Sequence, residues 1–342
     1  MGDSMQIMVV MIAYMLVVIG IGVAFARRAN QSSEDYFLGG RTLGPWVTAM
    51  SAEASDMSGW LLMGLPGVAY WCGISDAAWT AIGLAAGTYI NWLITSKRLR
   101  RYSEKANAIT LPEFFSNRFH EQGKVIMTIA ALFILIFFTV YAASCLVTCG
   151  KLFSTLFGFG YVPMMIVGAV FVLVYTIIGG FLAESASDFM QAVVMIVALL
   201  VIVITGTAAA GGLGAVVENA RSIPGFLTFF GIATPETVDG VQQAVNGVPQ
   251  FGEAGSYGFL NIISTLAWGL GYFGMPQVLL RFMAIRHEKE LTASRRIATV
   301  WVLISLCVAV FIGLVGRTLF PTALTTASDA ENVFILLSTS LL

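Results

Sequence analysis

The stretch SAEASDMSGWLLMGLPG, residues 51–67, holds the residues with the greatest capacity for chemistry. Glu53 and Asp56 stand among Ser51, Ser55, Ser58 and Gly59, with apolar sequence on both sides. Ionisable groups inside an apolar span are expensive and normally face a bundle interior. A spacing of three puts both carboxylates on one helical face. Ser55, Ser58 and Gly59 lower helix propensity and offer the backbone other hydrogen bonds, so a broken helix is expected here. An unwound turn exposes carbonyl oxygens able to hold a hard cation such as Na+, and the adjoining half-helix N-terminus favours a carboxylate. The plainer alternative is a polar kink that only packs against its neighbours.

Three further stretches depart from plain hydrophobicity. In TLAWGLGYFGMPQ, residues 265–277, three glycines and a proline weaken the helix, and Trp268, Tyr272 and Pro276 recur every four residues. On an α-helix that spacing makes one face, an aromatic wall suited to a small organic substrate, or simply a packing surface. Gly269, Gly271 and Gly274 also spell G-x-G-x-x-G, but a dinucleotide site needs a preceding strand and a βαβ unit, so it is rejected. In FFTVYAAS, residues 137–144, the Tyr141 hydroxyl would be unpaired in lipid and should point inward. In GGFLAESASDFMQ, residues 179–191, Glu184, Ser187, Asp188 and Gln191 mark a turn. Asp188 capping the next helix is favoured there over lining an ion's exit. Gly83 and Gly87 form G-x-x-x-G and read as close helix packing.

These residues need elements to hold them. Of 342 residues, 58% are hydrophobic and 11% charged, whereas soluble domains carry roughly 25% charged residues. Apolar runs long enough to cross about 30 Å of hydrocarbon recur, so the chain reads as a polytopic membrane protein. Hydropathy predicts eight spans, 5–26, 43–71, 76–96, 125–150, 162–183, 188–210, 256–281 and 297–319. They must be helices, because the runs are too long for barrel strands. Fifteen Lys and Arg, from Arg27 and Arg28 through Arg281 to Arg296, fall in one alternating set of loops, against Lys151, Arg221 and Arg317 in the other. The positive-inside rule then puts the richer set in the cytoplasm and the N-terminus outside.

The remaining features exclude more than they assign. No basic patch suggests nucleic acid, and the four cysteines have no C-x-x-C spacing, so no disulfide framework or zinc site is indicated. His120 and His287 fall in charged loops and read as solvated. The first apolar run lacks a basic leader and a small-residue cleavage site, which predicts a retained span. A long loop, about 211–255, is rich in Gly and Val and reads as functional or flexible. Thr110 and Pro112 mark a helix start that would lay Phe114, Phe115 and Phe119 on the membrane surface.

The block DYFLGGRTLGPWVTAMSAEASDMSGWLLMGLPG, residues 35–67, closely resembles the sodium:solute symporter family, with its proline-transporting members nearest. FFTVYAAS, GGFLAESASDFMQ and WGLGYFGMPQVLLRFMA resemble the same family in the same order. The resemblance implies an all-α, leucine-transporter-type inverted-repeat fold, usually of thirteen helices, of which about eight would be present. Span 5–26 would be an extra N-terminal helix, 43–210 the first five-helix repeat and 256–342 an incomplete second repeat, all in one transmembrane domain. It implies Na+ held by the backbone carbonyls of Ala54 and Met57, with Asp56 and Asp188 supporting ion coupling or the ion's path. Ser58 and Gly59 would affect transport, and Tyr141, Trp268, Tyr272 and Pro276 would line the substrate. Glu184 and Ala186 stand where the family commonly has Val and Trp.

The family's Ser/Thr pair that completes the sodium site would lie past Leu342, so the chain is expected to be a fragment or a truncation. The resemblance implies Na+-coupled symport of L-proline into the cell across the inner (plasma) membrane by alternating access. Other readings remain open, namely another amino acid or small carboxylate as substrate, or the membrane domain of a sensor kinase. An enzyme is not expected, because no nucleophile–base set or metal cluster stands in the spans.

Overall fold

The computed structural model describes the backbone of residues 2–342 and the side chains of residues 5–342. In chain order the helices are α1 (Gly2–Ala29), α2 (Ser33–Leu38), α3 (Pro45–Met57), α4 (Gly64–Cys72), α5 (Ile74–Ile94), α6 (Ser96–Lys105), α7 (Leu111–Arg118), α8 (Val125–Phe157), α9 (Tyr161–Ala209), α10 (Leu213–Ser222), α11 (Phe259–Leu266), α12 (Pro276–Ala284), α13 (Leu291–Leu319), α14 (Ala327–Ala330) and α15 (Val333–Leu341). Met5–Ala29, Val125–Phe157, Tyr161–Ala209 and Glu288–Leu319 are each long and apolar enough to cross a membrane. Helix α8 is apolar on every side, and Leu132, Phe133, Leu135, Phe137 and Val140 are all at least half exposed. A helix that is greasy all round and unburied by protein is one made for lipid.

The chain divides into two compact units. The first comprises residues 1–56, 90–192 and 273–298, the second residues 57–89, 193–272 and 299–342.

In the first unit the basic loops meet at one end, as the charge asymmetry predicts. Arg41 is the hub. Its guanidinium donates to the carbonyls of Met283 (2.9 Å) and Ala108 (2.8 Å) and pairs with Glu34 (2.8 Å). Arg100 donates to the Ile285 carbonyl (2.7 Å) and pairs with Glu104 (2.7 Å). Leu43 is bridged to Ile285 by backbone bonds, Leu43 N–H to Ala284 O (3.2 Å) and Arg286 N–H to Leu43 O (3.0 Å). Helix α7 starts as expected, with Thr110 Oγ1 accepting from the Glu113 N–H (3.3 Å) and proline in the first turn.

The predicted spans 162–183 and 188–210 correspond to two helices that meet at a kink within the 49-residue segment α9, and only their boundary differs from the expectation. At 1.5 Å per residue a straight helix of that length would run about 74 Å, far beyond a bilayer core of about 30 Å. The segment instead breaks at Gly180 (φ 57, ψ −158). A side chain there is excluded twice, by the positive φ and by the Tyr36 carbonyl, which a Cβ would meet at 2.9 Å. The break therefore falls before the acidic group rather than in it, and Glu184 to Gln191 lie within helix.

The second unit packs on small residues. A Cβ on Gly83 would meet Leu266 O at 2.6 Å, and one on Gly313 would meet Ala69 Cβ at 2.6 Å. The G-x-x-x-G pair is thus a close backbone approach, and Gly269 of the rejected dinucleotide pattern is its partner, abutting both Gly83 and Gly87. The long loop is structured, which corrects the flexible reading. It holds α10 and three two-stranded ribbons, 231–232 with 255–256, 237–238 with 241–242, and 244–245 with 248–249. It is tied down by Ile74 N–H to Phe226 O (2.8 Å), Trp79 Nε1–H to Phe229 O (2.8 Å) and Tyr257 Oη–H to Asp76 Oδ2 (3.1 Å).

Candidate functional site

The predicted break in span 43–71 is present. Helix α3 ends at Met57, α4 begins at Gly64, and Ser58 takes φ 47, a left-handed conformation that costs a non-glycine residue about 1–2 kcal/mol. Such strain persists only where surroundings impose it. The intervening turn closes on itself. Leu61 N–H donates to Met57 O (3.2 Å), and Leu62 and Met63 N–H both donate to Gly59 O (3.2 and 3.0 Å). The Trp60 N–H reaches Ser58 Oγ at 3.4 Å. The Met57 carbonyl is thus engaged through one lone pair, and a carbonyl has two.

In the first unit, α3, α8, α9 and α12 converge on a buried arginine. Arg281, 1% exposed, donates through Nη2 to Asp188 Oδ2 (2.8 Å), Glu184 Oε1 (3.0 Å) and Ser55 Oγ (2.7 Å). Its Nε donates to Ser51 Oγ (3.0 Å), and Nη1 donates to Gln277 O (2.9 Å). Both serine hydroxyls pass the bond on to Asp188 Oδ2, Ser51 at 2.9 Å and Ser55 at 2.8 Å. The Phe181 ring lies 5.1 Å from the guanidinium carbon. Tyr141 Oη donates to the Ser55 carbonyl (3.1 Å), so the hydroxyl points inward as its place in an apolar span requires. One residue on α3, Ser55, therefore touches three other helices.

This geometry revises the reading of the acidic group. Asp188 caps no helix. It sits eight residues past the Gly180 break and neutralises Arg281, offsetting the cost of burying that cation. Glu184 shares that charge. Sequence reasoning counted Arg281 with the solvated cytoplasmic loop and passed over Ser51 and Ser55 as partners. The available signal was a single arginine inside the apolar run PQVLLRFMA, where only an internal partner makes a charge tolerable.

Glu53 is buried, and its Oε1 accepts from Trp92 Nε1–H (3.0 Å) while Oε2 has no partner. Asp56 is half-buried three residues on, and Ala54 is buried. Pro276 opens α12, five residues before Arg281. In the second unit the Trp268 ring packs tilted against Trp60 with centroids 4.9 Å apart, and Tyr272 is 4% exposed against 51% for Trp268. The single α-helical face expected for Trp268, Tyr272 and Pro276 does not form. Residues Ala267–Phe273 make a 3-10 helix, where three residues complete a turn, and Pro276 starts a separate helix. Among the described residues no group of His, Cys, Asp or Glu is arranged to hold a metal.

Comparison with known proteins agrees with this architecture. The chain is 39% identical over 334 residues to the sodium/proline symporters of Staphylococcus aureus strains USA300 / TCH1516 and JH9, matching 97% of this chain and 60% of each relative. It thus spans about 60% of the length of those relatives. Its fold matches a Na+-coupled sialic acid symporter solved in a substrate-bound outward-open state, with a TM-score of 0.74 and 17% identity, covering 96% of this chain and 66% of that one. The family model for the sodium:solute symporters matches residues 36–342. This multi-pass membrane protein belongs to the sodium:solute symporter family.

Proposed function

We propose that the chain is part of a Na+-coupled symporter that carries L-proline into the cell by alternating access. The observation that carries the reading is the broken helix at Met57–Ser58, with a strained non-glycine turn inside a family whose members couple solute to sodium. In this proposal the Ala54 and Met57 carbonyls hold Na+, and Asp56 and Asp188 assist coupling or line the ion's path. Oxygen ligands from an unwound turn suit a hard cation. The names of relatives at 39% identity favour proline as solute. Ser58 and Gly59 would couple the turn to transport, and Tyr141, Trp268, Tyr272 and Pro276 would contact the substrate. The proposal further assigns residues 5–26 to an extra helix, 43–210 to a first repeat and 256–342 to part of a second, in a leucine-transporter-type arrangement. It places the N-terminus outside the inner (plasma) membrane.

Coupling is a reciprocal free energy, typically about 1–3 kcal/mol, so sodium should raise proline affinity roughly 5–150-fold. The test is uptake of labelled proline by the full-length gene product in proteoliposomes, with sodium and then with choline outside. Uptake that collapses in choline supports the reading. Uptake indifferent to sodium refutes coupling, and sodium-driven uptake of another solute in preference to proline refutes the substrate.

A further inference from the structure

The second unit contains a second buried arginine, and this one has no carboxylate. Arg317, in the last turn of α13, is 1% exposed. Its guanidinium is held between the rings of Tyr70 (4.9 Å) and Phe251 (4.7 Å). Nη2 donates to Gln242 Oε1 at 2.8 Å and the Tyr70 hydroxyl faces the guanidinium, while Nε and Nη1 make no hydrogen bond among the described residues. No ion pair to Arg317 forms among the described residues, in contrast with Arg281, which has two. The aromatic faces and the C-terminal end of α13 offset part of the charge. They leave most of the N–H donors unmatched, and unmatched buried donors are costly.

The surroundings point to what satisfies them. Arg317 lines a cavity of about 370 Å³ whose wall includes Ile223, Pro224 and Pro321, with Asn219, Ser222 and Gln250 as polar members. That volume lies within the roughly 300–1,000 Å³ of small-molecule sites, which pair an apolar wall with a few fixed polar groups. Gln242 is itself positioned. Its N–H donates to Thr325 O (2.7 Å) and its Nε2 to Gln250 O (3.1 Å), so it presents only its oxygen to the guanidinium. A neutral acceptor leaves the positive charge available, where a glutamate would have cancelled it.

We propose that Arg317 and this cavity form a binding site for a small carboxylate with an apolar body, the carboxylate meeting the N–H edge of the guanidinium and the body against Ile223, Pro224 and Pro321. Planar guanidinium groups match carboxylates with paired donors, and the charge is strengthened by its desolvated setting. The site lies wholly within the second unit and shares no residue with the Arg281 network or the Met57–Ser58 turn. It does not depend on sodium coupling or on proline as the carried solute.

The test is calorimetric titration of potassium butyrate, butyramide and potassium chloride into the purified full-length gene product in lipid nanodiscs. Potassium salts keep sodium out, so failure here is separate from failure of the transport reading. Butyrate should bind saturably, and butyramide, its neutral analogue, at least tenfold more weakly. Arg317→Gln should abolish butyrate binding. Gln242→Glu is the decisive variant, since it supplies the missing carboxylate at a position already in contact. It should lose butyrate binding at least tenfold while raising the melting temperature. Butyrate binding unchanged in Gln242→Glu, equal binding of butyramide, or displacement of butyrate by equimolar chloride would each overturn the proposal.

Discussion

Changing Asp188 to Asn and Arg281 to Gln, singly and together, tests the account of the buried network most directly. At 2.8 Å and an effective dielectric of about 20, the gross attraction of this pair is about 6 kcal/mol. Desolvation cancels much of it, and removing one partner of a buried pair typically costs about 3–5 kcal/mol. Asp188→Asn should fall below that range, at about 2–3 kcal/mol, because Glu184 still faces Arg281 at 3.0 Å. Arg281→Gln should cost about 3 kcal/mol, since Asp188 keeps the Ser51 and Ser55 hydroxyls at 2.9 and 2.8 Å. The double variant should be little worse than either single one, giving a coupling energy of about 2 kcal/mol. Equilibrium unfolding in mixed micelles, followed by tryptophan fluorescence, measures all four proteins. At about 2 °C per kcal/mol the single variants should also melt roughly 4–6 °C lower. Additive losses, with coupling under about 0.5 kcal/mol as for distant sites, would refute the claim that these residues neutralise each other.

Ser51→Ala and Ser55→Ala should each destabilise by about 1.5–3 kcal/mol, because each hydroxyl accepts from Arg281 (3.0 and 2.7 Å) and donates to Asp188 (2.9 and 2.8 Å); the same unfolding assay measures both, and a loss below about 0.5 kcal/mol in either would refute its place in the network. Gly83→Val should disrupt the close approach to Leu266, lowering the melting temperature by several degrees, whereas the same change at Gly214, which has open space around it, should leave it unaffected. Arg101 pairs with the part-exposed Glu288 at 2.7 Å, so Arg101→Gln should move the melting temperature only slightly, and 1 M salt should shrink whatever difference there is; a large shift, or one that salt leaves unchanged, would refute this.

The membrane class, the apolar helices and the clustering of basic loops were legible in the sequence, because lipid imposes composition and length on every span. The break after Met57 was legible too, since Ser55, Ser58 and Gly59 weaken helix locally wherever they stand. Local chemistry likewise fixed Thr110 as the start of α7. What sequence could not supply was pairing across the chain. Arg281 and Asp188 are 93 residues apart, and Arg317 and Gln242 are 75 apart. Nothing in either neighbourhood states that one arginine meets a carboxylate and the other a neutral amide. Nor does a spacing of four reveal whether Trp268 and Tyr272 share a face, because the answer depends on whether the segment winds as an α-helix or, as here, as a 3-10 helix. Periodicity and composition act along the chain, and they marked the long apolar helices as membrane-crossing candidates. Charge compensation acts through space, and only the tertiary structure decided which buried cation is satisfied and which still offers its donors.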